Sequence, residues 1–312
     1  MGPLRICPSC GAQQAVAAGE AVWPTNWICG TCCHAAEQLD GILAFAPDLA
    51  DTPTGFDPKS FSALNKSEDG HYWFEPRNRL ITALIHRYFP TTSRYLEIGC
   101  GTGFVLRGVR EALPDAELVG SEIHPAGLTH ARRRLADTAS VQFVQMDARR
   151  IPAREAFDLV GAYDVIEHID EDERVLAELH ATLVPGGGAV IAVPQHPLLW
   201  SQADELGHHV RRYRRGELEA KMRAAGFEVL FSSSYTAVLL PLMAASRMRR
   251  SRPEQLEAML KREFDLAAPV NAVLRAVLHT EVTVTLAGLR WPAGGSRIVV
   301  GRKPKPKPKL AA

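Results

Sequence analysis

The sequence is short of the features that would carry it to a bilayer or to nucleic acid. No run of 18 uncharged apolar residues occurs in its 312, which predicts no membrane-spanning helix. Lysine and arginine total 36 against 35 acidic residues, a formal net charge of +1. That charge sets up no global field for polyanions, and nucleic acid is not expected as a partner. The opening MGPLRICPSC has no apolar core of the kind a secretory leader carries, so a cytoplasmic location is expected. Cysteine is nearly absent after residue 33: five of the six lie between Cys7 and Cys33. In such a chain that clustering favours metal over disulfides. The length allows one substantial domain plus something smaller.

The organising stretch is Arg94 to Phe104, RYLEIGCGTGF. A short apolar run (Tyr95, Leu96, Ile98) leads into Gly99, Gly101 and Gly103, and Val105, Leu106 and Val109 then take the spacing of a helix face. Strand, tight turn and helix follow one another, with glycine where the backbone must turn and lie against a ligand. Glu97 stands two before the first glycine, and Glu122 closes the next strand-like run, Glu117 to Glu122. A dinucleotide fingerprint needs G-x-G-x-x-G, and Gly108 comes too late to supply its third glycine.

The pattern acidic-x-G-x-G-x-G with a second acid one strand on resembles the first motifs of class I S-adenosylmethionine-dependent methyltransferases. The resemblance implies α/β architecture: a doubly wound, seven-stranded, mostly parallel Rossmann-like sheet. It also implies cofactor contacts from Glu97, Gly99, Gly101 and Gly103, ribose contacts from Glu122, and adenine contacts from Ile123, Asp147 and Ala148, with Tyr163 at the end of the fourth strand. The remaining strands are expected at Val141–Gln145, Phe157–Ala162, Ala189–Val193, from Phe227, and Ser296–Gly301. Tyr72, Trp73 and Phe74, followed by Arg77 and a helical stripe to Tyr88, resemble the N-terminal lid of small-molecule methyltransferases. There an arginine meets the cofactor's carboxylate, and a guanidinium fork suits that group.

Cys7-Pro-Ser-Cys10 and Cys29-Gly-Thr-Cys32 are two C-x2-C knuckles separated by 18 residues. Two such turns complete the tetrahedron that zinc prefers, and the arrangement resembles a zinc ribbon, with Cys33 and His34 as spare ligands. Structural Zn2+ is therefore expected in a unit over 1–45. Residues 46–66, rich in Pro, Asp and Thr at their start, read as a linker. This predicts a catalytic domain over 67–303 that is separable before Ser60. A helical insertion is expected at about 232–294, including a helix near Glu254 to Phe264 and an apolar face of Val270, Val273, Leu274, Val277 and Leu278. Such a face packs on the domain, covers a greasy acceptor or touches lipid. The Lys-Pro tail, 304–312, reads as extended and basic.

Methyl transfer to oxygen or nitrogen needs a place for the acceptor's proton, and His209 and His168 are the candidates. Arg211 and Arg212 beside His209 are expected to favour its neutral form, while Glu167 is expected to bias His168 toward imidazolium. Asp164-Val-Ile-Glu167-His168 also resembles an acidic-x-x-Glu-His element associated with a divalent ion in ubiquinone-pathway O-methyltransferases. Here Asp replaces the first Glu, and neighbouring side chains at a helix start point apart. The expected activity is methyl transfer to a small-molecule or lipid-linked acceptor. A zinc-ribbon ribosomal-RNA base methyltransferase and a non-catalytic scaffold are the rivals. The first lacks a basic charge balance and an N/D-P-P-[FY] clamp; the second has no need of six intact cofactor positions.

Overall fold

The computed structural model describes residues 2–52, 56–138, 141–247 and 266–306. Four short strands open the chain: β1 (Leu4–Ile6), β2 (Gln13–Ala15), β3 (Glu37–Leu39) and β4 (Ile42–Ala44). Two helices follow, α1 (Phe61–Ser67) and α2 (Phe74–Tyr88). Then strands and helices alternate: β5 (Arg94–Ile98), α3 (Phe104–Ala112), β6 (Glu117–Glu122), α4 (Pro125–Arg134), β7 (Val141–Gln145), β8 (Ala153–Arg154), β9 (Phe157–Tyr163), α5 (Asp172–Thr182) and β10 (Leu183–Pro194). The chain continues through α6 (Gln202–Leu206), α7 (Glu217–Ala224), β11 (Glu228–Tyr235), α8 (Leu240–Arg247), α9 (Ala268–Leu286) and β12 (Ser296–Arg302).

The main sheet runs β11-β12-β10-β9-β5-β6-β7-β4-β3, nine strands among the described residues. β7, β6, β5, β9 and β10 are mutually parallel, and β12 runs antiparallel to β10 and β11. Alternation along each strand explains the double-sided core. Leu96, Val119, Val160 and Ile191 enter one hydrophobic cluster, while their neighbours Tyr95, Leu118, Leu159 and Val190 enter the other. A side-chain period of two on a sheet covered on both faces requires this.

Seven strands were expected; the N-terminal module adds the other two. β4 pairs in parallel with β7, and β1 pairs with β8. Trp23, 1% exposed, lies in the same core cluster as Phe157 and Leu179. Its Nε1 donates to the Pro152 carbonyl at 3.0 Å. The N-terminal module is thus fused to the sheet edge.

The expected linker is corrected for the same reason. Phe45 and Ala46 donate their backbone N–H groups to Gln145, the Ala50 carbonyl meets His124 Nδ1 at 3.2 Å, and Phe61 on α1 is 3% exposed. Proline and aspartate here make short helical turns with Pro at their starts, a use of proline that composition does not separate from a loose connection. Residues 53–55 lie outside the described residues.

The insertion starts later than expected, because β11 runs through Tyr235. The face of α9 is also corrected. It buries Leu278, Glu281, Val282 and Thr285, whereas Val270 and Val273 are 48% and 63% exposed. The first turns of α9 meet the start of α2 and the turn before it: Asn271 accepts from Tyr72 N at 2.8 Å, and Arg275 pairs with Glu75 at 3.1 Å. The helix expected at Glu254 to Phe264 and the end of the Lys-Pro tail lie outside the described residues.

Candidate active site

At the carboxyl end of β5 the chain turns at Gly99, with φ 64°, and Gly101, with φ 51°, left-handed values that favour glycine. A Cβ on Gly99 would run into Val165 after β9, and one on Gly101 would come 3.5 Å from the Phe61 ring. Gly103 caps α3 and abuts Ala131 of α4, so its place is in helix packing. Glu122, at the end of β6, is buried. It accepts from the backbone N–H groups of Gly101 (3.2 Å), Ile123 (2.8 Å) and His124 (3.2 Å). Burial pushes its carboxyl pKa up, against the pull of those donors.

Glu97 is 2% exposed. Its carboxylate accepts from Tyr95 Oη at 3.0 Å, and that hydroxyl meets Tyr163 Oη at 3.3 Å. Burial pushes the Glu97 carboxyl up to about 8, with Tyr95 and Arg77 opposing the rise. Arg77, also buried, pairs with Asp164 at 2.5 Å and stacks on the Trp73 ring at 4.6 Å. Its Nε is buried without a hydrogen-bond partner among the described residues. Asp147 is held by Arg149 at 3.0 Å, and Ala148 is buried beside it.

Sequence reasoning missed the segment that closes over this end. Phe61 lies against Gly101 and Gly127. Glu68 accepts from Thr102 Oγ1 of the glycine turn and pairs with Arg134 of α4 at 2.6 Å. An F-x6-E spacing carries no motif, so only the tertiary contact reveals it. Burial pushes the Glu68 carboxyl up to about 7. An acid whose folded pKa lies above its unfolded value keeps extra protons on folding, so stability falls as pH rises from about 4.5 to 7. Thermal melts across that window should show Glu68→Gln with a shallower decline than wild type; an unchanged slope would remove Glu68 as its source.

A second group of polar side chains lies after β9 and β10. Asp164, His196 and His208 take φ of 54°, 63° and 53°, uncommon for residues other than glycine and concentrated at functional sites. Val210 N donates to the Glu167 carbonyl at 2.8 Å, which seats the 207–213 loop beside the β9 end. His168 and His209 meet edge to face, centroids 4.7 Å apart. Glu167 is fully buried, and burial pushes its carboxyl well up.

The expected imidazolium at His168 is corrected: burial of the ring, and then His209, push it down to about 4. Arg211 and Arg212 are not bare charges beside His209. Arg211 pairs with Asp172 at 2.7 Å and Arg212 with Asp204 at 2.6 Å. Atoms of Glu167, His168 and His209 lie within 4.8 Å of one another, a spacing a cation could bridge. Asp164, the first acid of that element, turns instead to Arg77.

The four knuckle cysteines converge within 4.8 Å. Sγ of Cys7 and Cys32 are 3.6 Å apart, and those of Cys10 and Cys29 are 3.7 Å apart. A tetrahedron with zinc–sulfur bonds of about 2.3 Å has edges of about 3.8 Å, so the donor set fits zinc and no disulfide joins these residues. Without an ion the four thiols share their protons unevenly: backbone N–H groups of Cys32 and Thr31 pull Cys29 down to about 6, while the neighbouring Cys32 thiol and burial push Cys10 up to about 12. Cys33 and His34 are not part of the cluster.

Glycine turn, strand-end acids and sheet order define a Rossmann-like methyltransferase fold, and comparison with known proteins agrees. Residues 96–189 match the family described as a methyltransferase domain. The demethylmenaquinone methyltransferase of Thermus thermophilus is 35% identical over 100 residues, 31% of this chain and 46% of that protein. The trans-aconitate 2-methyltransferase of Variovorax paradoxus is 30% identical over 124 residues, 39% and 47% of the two chains. The chain thus spans less than half the length of these relatives. Among solved structures, the [4+2]-cyclase SpnF superposes with TM-score 0.53 at 21% identity, covering 80% of this chain and 94% of its own. Phosphoethanolamine N-methyltransferase 2 of Haemonchus contortus, in complex with S-adenosyl-L-methionine, gives 0.55 at 18% identity over 85% and 61%. Together the family match and the named relatives support an S-adenosylmethionine-dependent enzyme. A cyclase and a methyltransferase share the fold, so the fold alone does not decide the reaction.

Proposed function

We propose that the chain is an S-adenosylmethionine-dependent methyltransferase that carries a structural zinc and methylates oxygen on a small-molecule or lipid-linked acceptor. The observation that carries this reading is the placing of buried Glu97 within electrostatic reach of Arg77, a guanidinium that pairs with Asp164 and whose Nε lacks a partner among the described residues. An ammonium and a carboxylate on one ligand, the amino-acid head of the cofactor, match that pair. Glu122, with Ile123 beside it, would take the ribose; Asp147 and Ala148 would border the adenine. Gly99 and Gly101 let the backbone approach, and Tyr163 backs Glu97. When bound, the group supplies an electrophilic methyl at a sulfonium. His209 and His168 would face the acceptor. Exposed Val238, Leu242, Val270 and Val273 on the insertion support a greasy acceptor or contact with lipid. Among the described residues, no helix is long and apolar enough to cross a membrane.

Calorimetric titration with S-adenosylhomocysteine tests the reading, and absence of binding would refute it. A cationic ammonium beside Glu97 favours the ionised carboxylate, so binding near pH 7 should release a proton. The measured heat should then vary with the ionisation enthalpy of the buffer, and Glu97→Gln should abolish that dependence.

A further inference from the structure

Asp204 lies at the third position of α6, five residues before His209, and was not singled out in the sequence. Its side chain is fully buried. Oδ1 meets Nδ1 of His209 at 3.0 Å and accepts from Arg212 Nε at 2.6 Å. Oδ2 accepts from Ser201 N at 2.8 Å and Ser201 Oγ at 3.0 Å. Arg212 is itself anchored on the Gln195 carbonyl at 3.2 Å, so the carboxylate is held from three sides. Cationic Arg212 and the donors from Ser201 and His209 keep it ionised, well below the usual carboxylate range. An ionised carboxylate can only accept a hydrogen bond, so the neutral imidazole must carry its proton on Nδ1.

We propose that Asp204 is a positioning residue that locks His209 in the Nδ1–H tautomer and leaves Nε2 as the lone pair that takes the acceptor's proton. This rests on the methyltransferase reading above. In the step it serves, the acceptor oxygen bonds to the methyl carbon, and sulfur keeps the electron pair of the bond that breaks. The hydroxyl proton passes to Nε2, and the resulting imidazolium lies against the Asp204 carboxylate. His168 is the other ring at this place. It is buried and held neutral, and its Nδ1 has no partner among the described residues, so it bounds the site without competing for Asp204. Gly207 completes the seat: a Cβ there would come within 3.2 Å of Nε2 and of the Ala203 carbonyl.

The test needs no identified acceptor. Full-length protein carrying nitrogen-labelled histidine, with and without S-adenosylhomocysteine, is examined by long-range proton–nitrogen correlation NMR, which reads the tautomer of each ring. Wild-type His209 should be in the Nδ1–H form. Asp204→Asn should move most of it to Nε2–H, as the same change does in the serine-protease triad. Ser201→Ala, which removes the α6 cap but spares the His209 contact, should lower the melting temperature without moving the tautomer. A wild-type Nε2–H form, an unchanged tautomer in Asp204→Asn, or displacement of the Nε2 resonance by Mg2+ alone would each overturn the assignment; the last would make the ring a metal ligand. The wild-type spectrum decides the matter even if Asp204→Asn fails to fold. Cofactor binding is judged separately by calorimetry, so the two readings can fail independently.

Discussion

Removal of residues 1–45 is expected to leave an insoluble or protease-sensitive fragment in place of a free-standing catalytic domain. The segment carries Trp23, whose ring packs on Phe157 with centroids 5.6 Å apart, and buried Ile42, Leu43 and Ala44. It also carries the strand that pairs with β7. Truncating one large buried aromatic commonly costs about 3–5 kcal/mol, against a total stability of about 5–15 kcal/mol. Losing Trp23 and an edge strand together should therefore exceed what the remainder can bear. The proposed zinc would act on the same structure. Cys7 lies one residue after β1, the strand that pairs with both β2 and β8. Cys7→Ser or Cys29→Ser, or stripping with chelator, should lower the melting temperature by about 10 °C or more, several kcal/mol for a domain of this size. Elemental analysis of wild type should find about one zinc per chain, the number that four thiolates bind. A soluble fragment beginning at Ser60 with wild-type cofactor affinity would show that the two parts are separable after all.

Glu122→Ala should abolish measurable binding of S-adenosylhomocysteine, and through two effects. The proposed ribose anchor goes, at about 1.5–3 kcal/mol for hydrogen bonds to a charged group, or roughly tenfold to a hundredfold in affinity. The backbone N–H groups of Gly101, Ile123 and His124 also lose their common acceptor, and each unpaired buried donor costs about 1–3 kcal/mol. The glycine turn should loosen, with a lower melting temperature. Glu122→Gln separates the two effects, since its amide oxygen can still serve part of the backbone. It should melt near wild type and bind about tenfold more weakly, consistent with loss of one charge-assisted interaction. Normal affinity in both variants would remove Glu122 from the site.

The succession of β5, β6, β7, β9 and β10 was legible in the sequence, because the periodicities of strand and helix are local; the two-residue β8 was not. Two residues per strand repeat and 3.6 per helix turn need no knowledge of the partner. The glycine turn and its acids were legible for a related reason: left-handed backbone and close approach admit few residue types at any site. The paired knuckles belong with them, since the stereochemistry of four thiolates sets their spacing. Tertiary structure alone decided that the ribbon joins the sheet, because strand pairing across about a hundred residues leaves no local pattern. It decided that Glu68 closes on Thr102, and that the carboxylate at His209 comes from Asp204. It also reversed the expected charge at His168: burial of the ring itself, with His209 beside it, outweighs what sequence adjacency to an acid suggested, and how far water is excluded from a site depends on what the rest of the chain packs around it.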